Sequence, residues 1–203
     1  EILVELAVTE LKVNPDNLPL VLPVNEVLAF DNYYALLPDQ ASRQSVATEL
    51  TEGEDVVEFY TMCSGDYVMS TKKPGTATIQ LSTENKLSPN EPLTGELTFP
   101  VVSLTESDLH SLYVGNNYSL NDLVVLDPAN ANITLGCSLI TEGANMDPND
   151  VLSISADGII TPKDKGYAMV EVYLEANPEI SANVEIVVEL AVTELKVNPD
   201  NLP

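Results

Sequence analysis

Residues 155–174, SADGIITPKDKGYAMVEVYL, hold an Asp-Gly turn, a second turn ending in glycine, and then a strictly alternating run. Ala168, Val170 and Val172 recur at every second residue, which places them on one face of a β-strand. Residues 64–83, SGDYVMSTKKPGTATIQLST, align beneath this stretch without a gap: Ser64 on Ser155, Asp66 on Asp157, Gly75 on Gly166 and Ala77 on Ala168. The alternation repeats there as Ala77, Ile79 and Leu81, with Thr76, Thr78 and Gln80 on the opposite face. Gly75 and Gly166 stand where a turn enters the strand, a place suited to positive φ. One hairpin therefore occurs twice, 91 residues apart by its glycines.

Upstream the pairing continues more loosely. Val21–Leu28 falls on Tyr113–Leu120, and each is followed by an apolar stretch ending near a proline, Pro38 or Pro128. The first half offers candidate strands at Val8–Val13, Glu26–Leu36, Val56–Met62, Tyr67–Met69, Thr76–Ser82 and Gly95–Val102. The second offers Tyr118–Leu126, Asn132–Leu139, Val151–Ile154, Ile159–Thr161, Tyr167–Glu175 and Ala182–Val188. No interval reads as a long amphipathic helix, so parallel α/β layering is disfavoured. Short strands separated by Asn, Asp, Pro and Gly turns predict an all-β chain of two tandem sandwiches.

A second, much tighter period encloses these halves. Residues 1–19, EILVELAVTELKVNPDNLP, return as 185–203, EIVVELAVTELKVNPDNLP, differing only at Leu3 against Val187. Fixed-period self-similarity is the signature of a tandem array. The copied unit is then a pair of diverged domains. The reading assigns 1–6 to the last strand of a preceding repeat, 7–101 to the first domain, 102–190 to the second, and 191–203 to the first strand of a following repeat. The junctions, around Val102–Ser103 and Glu189–Ala191, lack Gly/Ser runs and are expected to be stiff.

With 32 acidic and 8 basic residues the net charge is −24, which repels phosphate backbones and disfavours nucleic-acid binding. No apolar run approaches the roughly 20 residues of a membrane span. Cys63 and Cys137 are the two cysteines, too few for a disulfide framework, and are expected to be buried free thiols. The one histidine, His110, neighbours Ser107 and Asp108, but sequence neighbours do not converge as a triad and no nucleophile elbow accompanies them. The chain is therefore not expected to be an enzyme.

These residues resemble the bacterial immunoglobulin-like domain family, group 2. The opening V-T-x-L-x-V-x-P of that family is matched by VTELKVNP at 8–15. Its closing V-x-D-G-x-I-T-x-x-x-x-G-x-A-x-V-x-V is closely resembled by ISADGIITPKDKGYAMVEV at 154–172, and more weakly by CSGDYVMSTKKPGTATIQL at 63–81. Gly115 stands at the family's early glycine, whereas the first domain has Pro23 there. The tryptophan often found on a central strand is absent, with Cys137 in that neighbourhood. The resemblance implies immunoglobulin-like folds in an exported cell-surface or filament protein, where such domains act as spacers.

Calcium is the one cofactor the sequence suggests. Asn14, Asp16 and Asn17, recurring as Asn198, Asp200 and Asn201, follow an opening strand and faintly resemble the N-D-N-x-P linker of cadherins. Asp147, Asn149 and Asp150 form a second candidate cluster, and Glu52, Glu54 and Asp55 a third. Ca²⁺ takes about six to eight oxygens, so one loop needs help from others; the alternative is that Asn, Asp and Pro simply build turns. Asn117 and Asn132 begin formal glycosylation sequons. The expected partners are neighbouring repeats of the same chain, or identical chains by strand addition through Leu195 and Val197. A rival reading is an adhesin module binding a host protein or glycan, with Tyr33, Tyr34, Tyr113 and Tyr118 as first candidates.

Overall fold

Alternating apolar residues become paired strands throughout. The computed structural model describes residues 8–14, 20–38, 45–83, 92–129, 131, 133–141 and 146–191. The chain divides into two units, residues 1–103 with 126–132, and residues 104–125 with 133–203. The fold is all-β, and each unit arranges its strands in two main sheets as a β-sandwich.

The first domain runs β1 (Glu10–Val13), β2 (Leu22–Pro23), β3 (Val27–Ala29), a 3-10 turn at Phe30–Tyr33, β4 (Tyr34–Leu37) and β5 (Val46–Glu52). It continues through β6 (Val57–Thr61), β7 (Tyr67–Thr71), β8 (Gly75–Thr83) and β9 (Thr94–Glu106), whose last residues open the second domain. One sheet contains β9-β8-β5 in order, with β2 also paired to β9; the other is β3-β7-β6, and β1 pairs with β4. The β8–β9 register sets Ala77 against Phe99 and Ile79 against Leu97, and all four are buried. Phe30, Val57 and Met69 complete the core from the other sheet.

The second domain continues with β10 (Ser111–Tyr113), β11 (Tyr118–Ser119), a 3-10 turn at Leu120–Asp122, β12 (Val124–Asp127) and β13 (Leu135–Ile140). A one-turn helix α1 (Pro148–Val151) precedes β14 (Leu152–Ile154), β15 (Ile159–Pro162), β16 (Gly166–Leu174) and β17 (Asn177–Glu189). Its sheets are ordered β10-β17-β16-β13 and β11-β15-β14, and β12 pairs with β9. The fully buried residues here are aliphatic: Leu112, Leu123, Leu152, Ile160, Leu174 and Ile186 among them. All three phenylalanines of the chain lie in the first domain.

Sheet register corrects the internal alignment. Val101 lies opposite both Leu22 and Gly75, as Val188 lies opposite both Leu112 and Gly166. Leu22 is thus the counterpart of Leu112, and Asn25, not Pro23, is the counterpart of Gly115. Both positions are left-handed, at φ 66° and 95°, and asparagine is the residue other than glycine that tolerates this region best. The hairpin β6–β7 is also longer than β14–β15. Its turn is closed by Gly65 N–H donating to Met62 O, where the second domain uses Gly158 N–H and Ser155 O. Met62 therefore corresponds to Ser155, and the ungapped match of Ser64 with Ser155 and Asp66 with Asp157 does not survive.

The expected strands at Glu26–Leu36 and Tyr118–Leu126 are each interrupted by a 3-10 turn. Residues three apart eclipse in such a turn, so Phe30 with Tyr33, and Leu120 with Leu123, all reach the core. Residues Val46–Glu52 form a strand that the sequence reading passed over. The glycines entering β8 and β16 are there for space. A Cβ on Gly75 would lie 2.5 Å from Val56 Cγ2, and one on Gly166 would lie 2.8 Å from Val151 Cγ2.

Thr71 ties β7 to the turn before β3. Its hydroxyl donates to Pro23 O at 2.7 Å and accepts from Glu26 N–H at 2.8 Å, while the side chain is 1% exposed. Thr71→Val keeps the shape and removes both of these bonds, so thermal or urea unfolding should show a loss of about 1–3 kcal/mol in the first domain.

Candidate functional site

Among the described residues, no three His, Cys, Asp or Glu side chains come together as a metal site, and no helix is long and apolar enough to cross a membrane. The predicted calcium ligands are placed as follows. Asn14 is left-handed at φ 48°, and its N–H donates to Tyr33 O at 2.6 Å, closing the end of β1. Asp16 and Asn17 lie outside the described residues, as do Asn198, Asp200 and Asn201. Asp147 is the N-cap of α1: one carboxylate oxygen accepts from both the backbone N–H and the side-chain amide of Asn149, each at 2.9 Å. These bonds, with Lys163 adding its charge, hold the Asp147 carboxyl below its ordinary range. Lys163 Nζ donates to Asn149 O at 2.9 Å, and Asp150 is exposed. A lysine ammonium thus already stands beside this cluster. In the third cluster Asp55 pairs with Lys73, whose hydrogen bond lowers the Asp55 carboxyl.

The geometry at Asp147–Asp150 is that of a cap. The second domain is therefore expected to melt at the same temperature in calcium and in EDTA, and a higher midpoint in calcium would show that an ion binds. Acid should act on the cap. A carboxyl whose folded pKa is depressed contributes stability above its unfolded value, lost as pH falls through the folded one.

Ser107 Oγ donates to Asp122 O at 2.6 Å and accepts from Leu109 N–H, while His110 is exposed and offers its carbonyl to Val187 N–H. The serine is engaged in the turn beside β12, and the three residues do not form a relay. His110 lines a shallow polar hollow with Glu106, Met169, Asn183 and Glu185. Cys137 is half-buried on β13, where burial raises its thiol pKa, and Cys63 is exposed in the β6–β7 turn. The expectation that both are buried fails because the turn projects Cys63 beyond the sheet. Asn117 accepts from Thr161 Oγ1, and Asn132 lies outside the described residues.

The four tyrosines differ in exposure. Tyr33 is buried at 4% exposure and Tyr34 is half-buried, hydrogen-bonded to Asp31, within a cluster containing Phe30. Tyr118 is half-buried and its hydroxyl accepts from Tyr113 N–H; only Tyr113 is exposed. Burial, with Glu26 adding, raises the Tyr33 pKa, and burial followed by the Asp31 hydrogen bond raises that of Tyr34. A raised folded pKa gives stability that is full below the unfolded value of about 10 and is lost as pH rises through the folded value. Alkaline titration should therefore show two waves of tyrosinate absorbance. The second wave should coincide with loss of the first domain's fold.

The functionally suggestive feature that sequence reading missed is an open apolar groove in the second domain. It is lined by Met146, Tyr167, Val187 and Leu190, with Lys165 and Glu189 at its rim. These four apolar side chains are 41–59% exposed. The period-two pattern of β16 and β17 announced their outward direction, but Met146 and Leu190 join them only through the fold.

No family model matches the chain, and no curated protein matches it in sequence. Among solved structures it is similar to a C-terminal 282-residue fragment of intimin, solved with the intimin-binding domain of the translocated intimin receptor. The identity is 17% and the TM-score 0.46, over 89% of this chain and 63% of that one. It is also similar to mouse cadherin-23 EC22–24 at 15% identity and TM-score 0.33, over 72% and 52%. The S-layer protein SbsC gives 14% identity and TM-score 0.28, over 91% and 27%. The chain spans less than two thirds of the length of each of these.

Proposed function

We propose that this chain is a structural repeat pair of a long extracellular bacterial surface protein or filament, of the group 2 bacterial immunoglobulin-like type, giving reach and stiffness. The observation that carries this reading is the return of residues 1–19 as 185–203 around a domain pair whose halves have diverged. A 19-residue stretch that returns nearly unchanged, alongside diverged halves between its two occurrences, fits selection for length. The strong negative charge favours solubility. Junctions without Gly/Ser runs fit a stalk better than a flexible tether. The adhesin reading gains little from the tyrosines, three of which are half-buried or buried.

The test has two arms. Antibodies to this chain should label intact cells of the source organism, and small-angle scattering of the chain should give an elongated particle. A compact, folded-back particle would overturn the spacer reading. Absence of surface labelling would overturn the location.

A further inference from the structure

We propose that the apolar groove of the second domain is the docking site for the β6–β7 hairpin of the first domain of another copy, a head-to-tail contact made at the seam between repeats. The proposal deepens the repeat reading and rests on it. Three observations converge on this occupant.

The groove lies at the end of the second domain where the chain leaves. Gly166 is paired with Val188, so the β15–β16 turn and the end of β17 form its walls, and Leu190 follows directly. From Glu185 onward the sequence is that of residues 1–19, whose Glu10–Val13 segment is the opening strand of a first domain. The sequence beyond the groove thus repeats the opening-strand segment of the first domain within a few residues.

The first domain presents a hairpin with two exposed apolar side chains at its own entry end. Glu10 at the start of β1 lies opposite Leu37 at the end of β4. Ala29 at the end of β3 lies opposite Val68 near the start of β7. The β6–β7 turn and the entering chain are therefore at the same end. Met62 in that turn is 46% exposed and Tyr60 beside it 39%. The β6–β7 ladder runs from Val57↔Thr71 to Thr61↔Tyr67, whereas its counterpart runs only from Leu152↔Pro162 to Ile154↔Ile160. Two more residues on each strand carry Met62 about 7 Å further out at the usual rise per residue.

Both features are confined to the ends that meet at the seam. By the register above, the first domain has Thr76, Pro100 and Ser103 where the second has Tyr167, Val187 and Leu190. The second domain has Ser155 where the first has Met62. An exposed apolar patch on one end and a projecting methionine on the other, each missing from its diverged partner, match the socket and plug of a repeating contact. Methionine suits the plug because its unbranched side chain adapts to an irregular groove.

Cys63, exposed beside Met62, supplies the probe. Glu189→Cys places a new thiol beside the groove, in addition to the half-buried Cys137, and leaves the apolar side chains in place. After mild oxidation at high protein concentration, disulfides are mapped by mass spectrometry of peptides. Linkages between Cys63 and the thiol introduced at position 189 should outnumber those joining like positions several-fold. Adding Met62→Glu should remove the excess. Random proportions among the linkages, or an excess unchanged by Met62→Glu, would overturn the contact. Either outcome leaves the repeat reading standing, because intact-cell labelling and scattering decide that separately.

Discussion

Phe30→Ala is expected to destabilise the first domain by about 3–5 kcal/mol, the range seen for large aromatic truncations in cores. Phe30 has no solvent exposure and sits at the centre of an aromatic group. Phe59 meets it edge-on with ring centroids 4.9 Å apart, Tyr33 stacks at 6.0 Å, and Tyr34 and Tyr67 lie at 6.0 and 6.3 Å. Each such pair adds about 0.5–1.5 kcal/mol beyond burial, so truncation leaves both a cavity and unpartnered ring faces. Single domains are stable by only about 5–15 kcal/mol, so the variant consumes much of the margin. Calorimetry should show one transition falling by on the order of 20 °C, at roughly 4–8 °C per kcal/mol for a domain of this size. The transition of the second domain should stay in place, because its core is built without phenylalanine. Phe30→Leu provides the control. Leucine already occupies the corresponding position as Leu120, so this variant should lose much less.

That contrast shows how far the sequence could be read. The alternation of Ala77, Ile79 and Leu81, and of Ala168, Val170 and Val172, announced β8 and β16 because both are central strands with one face inward. Period two is a property of such strands alone. It says nothing of the 3-10 turns at Phe30–Tyr33 and Leu120–Asp122, where the inward spacing becomes three and a polar pair, Asp31-Asn32 or Asn121-Asp122, intervenes. β5 did alternate, with Val46, Thr48 and Leu50 facing Thr83, Leu81 and Ile79, but its threonine and alanine diluted the signal. The candidate calcium residues are ambiguous for a related reason. Asn and Asp are selected both for metals and for turns and caps: Asp147 accepts from Asn149 N–H, and Asn14 takes a left-handed φ of 48° at the end of β1. The groove was illegible because Met146 and Leu190 lie far from Tyr167 in sequence, and only the Gly166–Val188 register brings that end of β16 to the end of β17.

Gly53→Ala is expected to destabilise the first domain by about 2–4 kcal/mol through two separable causes. The residue is left-handed at φ +86°, and its carbonyl accepts from Val56 N–H and Val57 N–H at the entry to β6. An L-residue there costs about 1–2 kcal/mol from conformation alone. An added Cβ would also sit 2.5 Å from Thr76 O and 2.9 Å from Ala77 Cα. Those are backbone atoms of the central strand β8, held on both sides by β5 and β9, so they cannot yield as a side-chain tip can. Overpacking of that kind adds about 1–3 kcal/mol. The gain from a stiffer unfolded chain, about 0.4–1 kcal/mol for Gly→Ala, offsets only part. Gly65 separates the two causes: at φ +96° it has the same conformational demand, yet a Cβ there meets nothing within 4 Å. Urea titration of Gly65→Ala should reveal the conformational cost alone, and Gly53→Ala should exceed it by the cost of the clash. Equal losses in the two variants would mean that β8 moves aside, and that the close approach of Gly53 to Thr76 and Ala77 does not fix the corner between β5 and β6.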